Sequence, residues 1–263
     1  MKIDYGPLVR YGPNGIEGRA TLCFSVDFDV TDPSRSERNR KGTFEFLQLS
    51  EQHRVPLTWA ICGNTAERDM KSYQAISNFS GRQELGIHTY SHIDAAASTK
   101  ADFGADVQRC LQVLNLPNPP KTFIFPWNRE AHFDVLRQFG FRTYRGASRA
   151  IGAPVLHQGL WNVRPVYYID QKSSNALSLM KAFVDFCIEK STVCHFWSHP
   201  WSVMGGEKER EMLQTLESLF AYLNQRCVEG RLVLDTMGGI ASLMDFTAFR
   251  PEAEVGSTAG VAL

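Results

Sequence analysis

Short apolar runs alternate with longer amphipathic segments along most of the chain. Ala20–Phe28 and Pro56–Cys62 are typical of strands, and Thr43–His53 and Ala101–Leu114 carry apolar residues at helical spacing. This repeated alternation of strand and helix predicts a parallel sheet that is covered by helices. About seven such units in one domain suit a barrel better than an open sheet. We therefore expect an α/β fold, a barrel in a single domain, with reactive groups where strands run into loops.

Charge and composition argue against nucleic acids and membranes as partners of the chain. The chain has 28 Lys+Arg and 28 Asp+Glu, and this balance gives no case for nucleic acid or an anionic membrane as the main partner. No apolar run approaches the roughly 20 residues of a membrane span, and Met1–Pro7 lacks the apolar core of a signal peptide. The six cysteines form no CxxC pair. We expect a cytoplasmic protein without a membrane span.

Three segments are predicted along the chain. Residues 1–18 are rich in Gly and Pro and read as an N-terminal extension, and residues 249–263 read as a flexible C-terminal tail. Residues 19–248 lie between them and hold the alternating pattern, so they are predicted to form the catalytic domain.

Two pairs of polar residues follow predicted strands. Asp27 and Asp29 fall on one face if the first strand continues through them, and two carboxylates on one face repel unless a cation or a shared proton separates their roles. His88 is the last residue of the predicted strand Glu84–His88, and His92 follows it at the i, i+4 spacing. On a helical turn these two imidazoles would point the same way and share one metal ion.

A third polar residue stands at the end of a later strand. Alternation places His195, Trp197 and His199 on one face, and Pro200 ends the strand. A histidine in this position is suited to proton transfer near neutral pH. Together these residues suggest one design for the hydrolysis of an amide or ester. Two histidines and one carboxylate would hold a divalent metal, a second carboxylate would act as base, and a further histidine would act as acid. Zn²⁺ is the first choice for such ligands, and Co²⁺, Ni²⁺ or Fe²⁺ also fit.

At this point the chain resembles a known family. Asp27–Asp29, Glu84–His92, Phe123–Asn128 and Trp197–Pro200 are similar, in order, to the motifs of the polysaccharide deacetylases, which are carbohydrate esterase family 4 or the chitooligosaccharide deacetylase homology domain. The similarity spans residues 20–245. It implies a distorted (β/α)7-type barrel and the metal-dependent removal of an acetyl group from an N-acetylated sugar.

The resemblance also implies roles for individual residues. The metal ligands would be Asp29, His88 and His92, the general base Asp27 and the general acid His199. A backbone N–H near Trp127 would help the metal to hold the tetrahedral oxyanion. Further residues assigned to substrate or oxyanion are Trp127, Asn128, Arg129 and Trp197, with Trp161, Trp201 and Arg164 as additional candidates for the sugar site.

The sequence departs from the family pattern in three places. Phe28 separates two aspartates that are usually adjacent, and Ile124 occupies the position of an arginine that usually pairs with the base. We predict that Arg129 or Arg164 supplies that charge instead. The fourth motif is not recognisable, although Trp161–Arg164 lies in about the right place. These departures favour a substrate other than the ordinary polymer of the family.

The expected compartment points to a particular substrate class. A cytoplasmic member would act on a nucleotide-linked or lipid-linked sugar, or on a glycosylated small molecule. We predict that Ser34–Lys41 is a loop on the active face, where Arg35, Arg38, Arg40 or Lys41 meets a phosphate of the substrate.

Two alternatives stay open. One is an amidohydrolase acting on a non-sugar amide, and the other is a carbohydrate-binding protein whose active site has decayed. Metal content separates the second alternative from both enzymes, and acetate release from an N-acetylated amino sugar separates the two enzymes from each other.

Overall fold

A computed structural model describes residues 19–171 and 176–248 of the chain. The predicted extension 1–18 and tail 249–263 lie outside these residues. Among the residues that are described, no helix combines the length and the apolar character needed to cross a bilayer.

One twisted sheet forms the centre of the domain. Its strands are, in chain order, β1 Ala20–Phe28, β2 Leu57–Ile61, β3 Gln83–Ile87, β4 Thr122–Ile124, β5 Thr143–Arg145, β6 Val155–His157, β7 Leu160–Asn162, β8 Tyr167–Ile169, β9 Val193–Ser198 and β10 Leu232–Leu234. The spatial order is β6-β7-β5-β4-β3-β2-β1-β9-β8, with β10 paired to the start of β1. All pairs are parallel except β6 with β7. The predicted parallel sheet is therefore present, with one antiparallel hairpin at its edge.

Most of the helices cover the outer face of the sheet. In chain order, the helices of the described residues are α1 Ser36–His53, α2 Gly63–Arg68, α3 Met70–Ser77, α4 Lys100–Leu114, α5 Phe133–Gln138, α6 Ala176–Glu189, α7 Pro200–Val203, α8 Glu209–Val228 and α9 Met237–Ala248. Phe24 points outward from β1, and its ring lies 5.8 Å from Phe46 of α1 and 5.3 Å from Phe220 of α8. Burial of such large apolar side chains holds the helices to the sheet.

Alternation along β1 separates the outer core from the barrel interior. Phe24, Val26 and Phe28 belong to the large outer core, whereas Cys23 belongs to a smaller apolar cluster with Ile240 of α9. Residues two apart share a face of a strand, so Ser25 and Asp27 follow Cys23 along the inner wall. The interior is thus apolar near the start of β1 and polar towards its end.

Helix α9 closes the end of the barrel at which β1 begins. Its first backbone N–H groups are capped from the sheet, because the Met237 N–H donates to Thr58 Oγ1 at 2.9 Å and the Gly238 N–H donates to Glu84 Oε2 at 2.8 Å. Burial raises the pKa of the Glu84 carboxyl. With this end closed, the carboxyl ends of the strands form the open end.

The sheet curls into a distorted barrel, as expected. Arg145 at the end of β5 reaches Asp27 at the end of β1, although β4, β3 and β2 separate these strands in the sheet order. A flat sheet would place strands four positions apart at nearly 20 Å. The curl therefore brings side chains from distant strands together at the open end.

Two regions differ from the sequence analysis. The segment Ser34–Lys41 was predicted to be a loop, but a 3-10 turn spans Pro33–Arg35 and α1 begins at Ser36. The physical reason is a cap, since Asp32 Oδ1 accepts the Ser34 N–H at 3.0 Å and starts the turn. The Gly/Pro-rich stretch 146–165, whose composition predicts neither a helix nor a strand, contains the strands β6 and β7.

Candidate active site

Three predicted metal ligands meet at the open end of the barrel. One donor atom each from Asp29, His88 and His92 lies within 4.8 Å of the others, and all three residues are buried. His92 Nε2 is 3.0 Å and His88 Nε2 is 3.6 Å from Asp29 Oδ2. Two imidazoles and a carboxylate converging in a small volume are the donor set of a divalent transition metal. The residues present therefore fit the metal that the sequence predicted.

The loop after β3 positions the two histidines differently from the prediction. Thr89 and His92 have φ values of 62° and 61°, so the predicted helical turn over 88–92 is wrong. Left-handed residues interrupt a helix, and here Asp106 of α4 holds the loop by accepting the Tyr90 and Ser91 N–H groups at 2.7 and 3.1 Å. The shared direction of the histidines thus comes from loop backbone and not from helical periodicity.

Two outer hydrogen bonds orient the ligand atoms. His88 Nδ1 donates to the Ile124 carbonyl at 2.9 Å, which directs Nε2 towards Asp29 as the atom that could bind a metal. Trp201 Nε1 donates to Asp29 Oδ1 at 3.0 Å, so Oδ2 remains for the histidine side of the cluster. These contacts are the kind that fix ligands in metal sites.

The predicted base, Asp27, lies buried beside this cluster. Arg145 donates from Nη1 to Asp27 Oδ1 at 2.8 Å and from Nη2 to Oδ2, in a bidentate pair. Burial by itself would raise the pKa of Asp27, but the charges of Arg145, His88 and His199 outweigh burial and lower it. Asp27 is therefore held as a carboxylate, the form that a general base requires.

Arg145 corrects the prediction about the missing arginine. Arg129 pairs with Asp94 at 2.8 Å on the surface, and Arg164 Nη2 donates to the Ala153 carbonyl at 3.0 Å, so the proposed pairing of either residue with Asp27 is wrong. A signal for Arg145 was available, because it follows Phe141, Thr143 and Tyr144, residue types that favour strands, and so stands as a polar residue at a strand end.

The predicted acid, His199, faces both aspartates. Its Nε2 is 3.5 Å from Asp29 Oδ2 and 3.8 Å from Asp27 Oδ2. Its Nδ1 lies 3.0 Å from the hydroxyl of Tyr168, a residue of β8 that sequence reasoning missed because no strand was recognised there. Burial raises the pKa of the Tyr168 hydroxyl, so Tyr168 is uncharged near neutral pH.

The site opens into a cavity of about 370 Å³ with aromatic walls. Trp127 is 60% exposed at its rim, and its ring packs edge-on against His92 at 4.7 Å. The lining residues are Asp27, Asp29, Thr31, Arg35, His88, His92, Phe125, Trp127, Asn128, Arg145, Trp197, His199 and Trp201. The predicted substrate residues Trp127, Asn128 and Trp197 are thus in the cavity wall, whereas Trp161, Arg164 and Arg129 are outside it.

The four basic residues proposed to meet a phosphate are separated by the fold. Arg35 lines the cavity and its guanidinium stacks 4.1 Å above the Trp201 ring. Arg40 instead pairs with Asp69 at 3.2 Å, and Lys41 pairs with Glu209. Arg38 is outside the cavity wall, so Arg35 is the member of this set that reaches the site.

Comparisons with known proteins agree on the family. The family model described as polysaccharide deacetylase matches residues 23–143, and no curated protein matches the chain. A Mycobacterium smegmatis structure named as a polysaccharide deacetylase is similar at 15% identity and a TM-score of 0.69, over 92% of this chain and 96% of that one.

Two further solved structures are similar at comparable levels. One from Pseudomonas aeruginosa PAO1, also named as a polysaccharide deacetylase, has 14% identity and a TM-score of 0.69 over 86% of this chain and 91% of that one. The PuuE allantoinase has 14% identity and a TM-score of 0.68 over 88% and 92%. At such low identities, the structural similarity shows the fold alone. The family match covers residues 23–143, the segment that carries the motifs Asp27–Asp29, Glu84–His92 and Phe123–Asn128. Residues 23–143 thus match the polysaccharide deacetylase family model, and the chain has the fold of solved structures named as polysaccharide deacetylases.

Proposed function

We propose that this protein is a metal-dependent hydrolase that removes an acetyl group from the nitrogen of an N-acetylated amino sugar. The observation that carries the proposal is that Asp29, His88 and His92 converge within one cavity. His199 and the ionised carboxylate of Asp27 lie beside them in the same cavity. Metal ligands, a base and an acid are the groups that hydrolysis of an amide requires.

Different residues would bind the metal, accept the proton of the attacking water and protonate the leaving nitrogen. Asp29, His88 and His92 would hold a divalent ion, Zn²⁺ first among the candidates, which supplies Lewis acidity towards the acyl oxygen and lowers the pKa of water. Asp27, oriented by Arg145, accepts a proton from the attacking water. His199 donates a proton from Nε2 to the departing nitrogen.

A backbone amide in the turn after β4 is suited to the developing oxyanion. Trp127 and Asn128 have φ values of 57° and 55°, and the Asn128 N–H already donates to the Phe125 carbonyl at 3.0 Å. The amide assigned to the oxyanion is therefore that of Trp127, as proposed from the sequence. The side chain of Trp127 would stack on the sugar ring.

The size of the cavity and the state of the cysteines support the substrate class. A volume of about 370 Å³ is at the small end of ligand pockets, which favours a single N-acetylated residue over a long polymer. All six cysteines are free thiols, and free thiols are the norm in a reducing compartment. We propose a cytoplasmic sugar nucleotide, lipid-linked sugar or glycosylated small molecule as substrate.

Metal analysis joined to acetate release tests this function. The purified protein should hold close to one divalent ion per chain, and the metal-loaded protein should release acetate from at least one member of a panel of N-acetylated sugar nucleotides and glycosides. His199→Ala should keep the ion and lose the acetate release, whereas Arg129→Ala, a change at a surface ion pair, should keep both. Absence of the ion from zinc-saturated protein would disprove the hydrolase.

A non-sugar amide is the second candidate substrate. The observation that favours it is the fold similarity to the PuuE allantoinase, at a TM-score of 0.68. Metal-bound protein that hydrolyses simple amides or ureides but no N-acetylated sugar would select it. The alternative of a decayed site rested on the missing arginine and the unrecognisable fourth motif. It loses the first of these supports, because Arg145 supplies the cation that is absent at Ile124.

A further inference from the structure

Behind the proposed base lies a buried serine–histidine pair. Ser25 Oγ is 2.8 Å from His195 Nε2, and both side chains are completely buried. Neither residue lines the active-site cavity. The pair has the spacing of a nucleophile and its base, yet it sits beneath the reacting groups, so it requires a different explanation.

Hydrogen-bond chemistry fixes the direction of every bond around this pair. His195 Nδ1 is 3.0 Å from the Val163 carbonyl, and a carbonyl only accepts, so Nδ1 carries a proton. Ser25 Oγ accepts from Arg145 Nη1 at 2.8 Å. If His195 also carried a proton on Nε2, two donors would face the serine oxygen and an imidazolium would adjoin a guanidinium.

The neutral ring satisfies all of these groups at once. Ser25 then donates to the His195 Nε2 lone pair while it accepts from Arg145. Burial, with the nearby Arg145 charge, lowers the pKa of His195 to about 3, which agrees with the neutral form. The proton donations run in one direction, from Arg145 to Ser25, from Ser25 to His195, and from His195 to the Val163 carbonyl.

Arg145, where this chain of donations begins, also binds the proposed base. The Arg145 Nη1 that donates to Ser25 also donates to Asp27 Oδ1 at 2.8 Å, and the guanidinium lies 4.3 Å from the Trp197 ring centre. We propose that Ser25 and His195 are positioning residues that lock the Arg145 guanidinium and thereby aim the Asp27 carboxylate. The proposal rests on the proposed function for the role of Asp27, but its hydrogen-bond directions stand independently of any activity.

Nitrogen NMR of the full-length protein tests those directions without an activity assay. In ¹⁵N-histidine-labelled protein at pH 7, the His195 ring, assigned by its loss in His195→Gln, should show a protonated Nδ1 and an unprotonated Nε2. A ring protonated on Nε2 would overturn the proposal even in an active enzyme. Reaction of Ser25 with an organophosphonate serine probe would also overturn it, because a positioning hydroxyl is not a nucleophile.

Kinetics then test the positioning role. Ser25→Ala and His195→Gln should each lower kcat by about 10- to 100-fold, the scale of a small misplacement, with KM within about twofold of the parent. The double variant should be no slower than the slower single variant, because both act along one chain of bonds. Ser25→Thr, which keeps the hydroxyl, should recover most of the rate.

The control is Ser50→Ala. Ser50 is a buried serine whose hydroxyl bonds the Val55 carbonyl at 2.8 Å, far from the site, and its loss should leave kcat unchanged. Multiplicative losses in the double variant, or an equal loss in the control, would contradict the positioning role. If the parent protein releases no acetate, only the proposed function is disproved. The NMR result then decides by itself whether the proposed hydrogen-bond directions are right.

Discussion

Replacing Arg145 by methionine removes one partner of a fully buried ion pair. The side chains of Arg145 and Asp27 are only 1% and 2% exposed, so Arg145→Met leaves the Asp27 carboxylate buried without its bidentate donor. Breaking such a pair typically costs about 3–5 kcal/mol of unfolding free energy. At roughly 2–4 °C per kcal/mol for a domain of this size, the melting temperature should fall by roughly 6 °C or more.

A double-mutant cycle isolates the pair itself. Asp27→Asn alone leaves a buried guanidinium without its counter-charge and should also destabilise the protein. Arg145→Met with Asp27→Asn removes both charges, so the combined loss of unfolding free energy should be at least about 2 kcal/mol smaller than the sum of the two single losses. The same double variant should remain inactive, because the proposed base is gone. Stability and activity would thus respond separately to one pair of residues.

Denaturant unfolding monitored by tryptophan fluorescence measures the cycle, and acetate release measures kcat on the same preparations. Arg129→Ala is the matched control, since it removes an arginine of the neighbouring turn whose partner is the surface residue Asp94. Stability losses that add within about 0.5 kcal/mol would show that Arg145 and Asp27 do not interact energetically. A fully active Arg145→Met would refute the assignment of Arg145 as the cation that orients the base.

Three further predictions concern the walls and ligands of the site. His88→Ala should abolish metal retention after dialysis, measured by elemental analysis, and metal bound at parent level would contradict its role as a ligand. Tyr168→Phe should lower kcat about tenfold while the melting temperature falls by no more than a few degrees, since it deletes one hydrogen bond to His199; an unchanged kcat would refute a role in orienting the acid. Trp127→Ala should raise KM several-fold with little effect on stability, because its ring is 60% exposed; an unchanged KM would remove Trp127 from the sugar site.

Strand ends explain most of what could be predicted about the site. Asp27, Asp29 and His199 lie at or just after the ends of strands that the apolar pattern marks clearly, and β1 has the predicted limits Ala20–Phe28. Arg145 also stands at a strand end, but its role was assigned to Arg129 or Arg164, and Arg129 directly follows the third motif in the sequence. Contacts between distant strands depend on the curl of the sheet, so the distance between two residues along the sequence does not predict them.

Other errors share a local physical cause. The helical turn over 88–92 failed because i, i+4 spacing is also produced by a loop with left-handed residues, here held by the Asp106 carboxylate. Tyr168 was missed because the three residues of β8 are too few to show a periodic pattern. Short elements and loops are decided by their tertiary partners more than by local propensity.

The sequence by itself determined the α/β alternation and the order of the strands that carry polar ends, because burial imposes a periodic pattern of apolar residues that can be read along the chain. Its resemblance to the polysaccharide deacetylases led to the proposed metal ligands Asp29, His88 and His92. Only the tertiary structure decided which arginine faces Asp27, which hydroxyl faces His199, and that Ser25 and His195 lie beneath the site. Those pairings join residues 31 to 170 positions apart. The pairing of β1 with β9 and of β9 with β8 brings Ser25 to His195 and Tyr168 to His199, and the curl of the sheet brings Arg145 to Asp27.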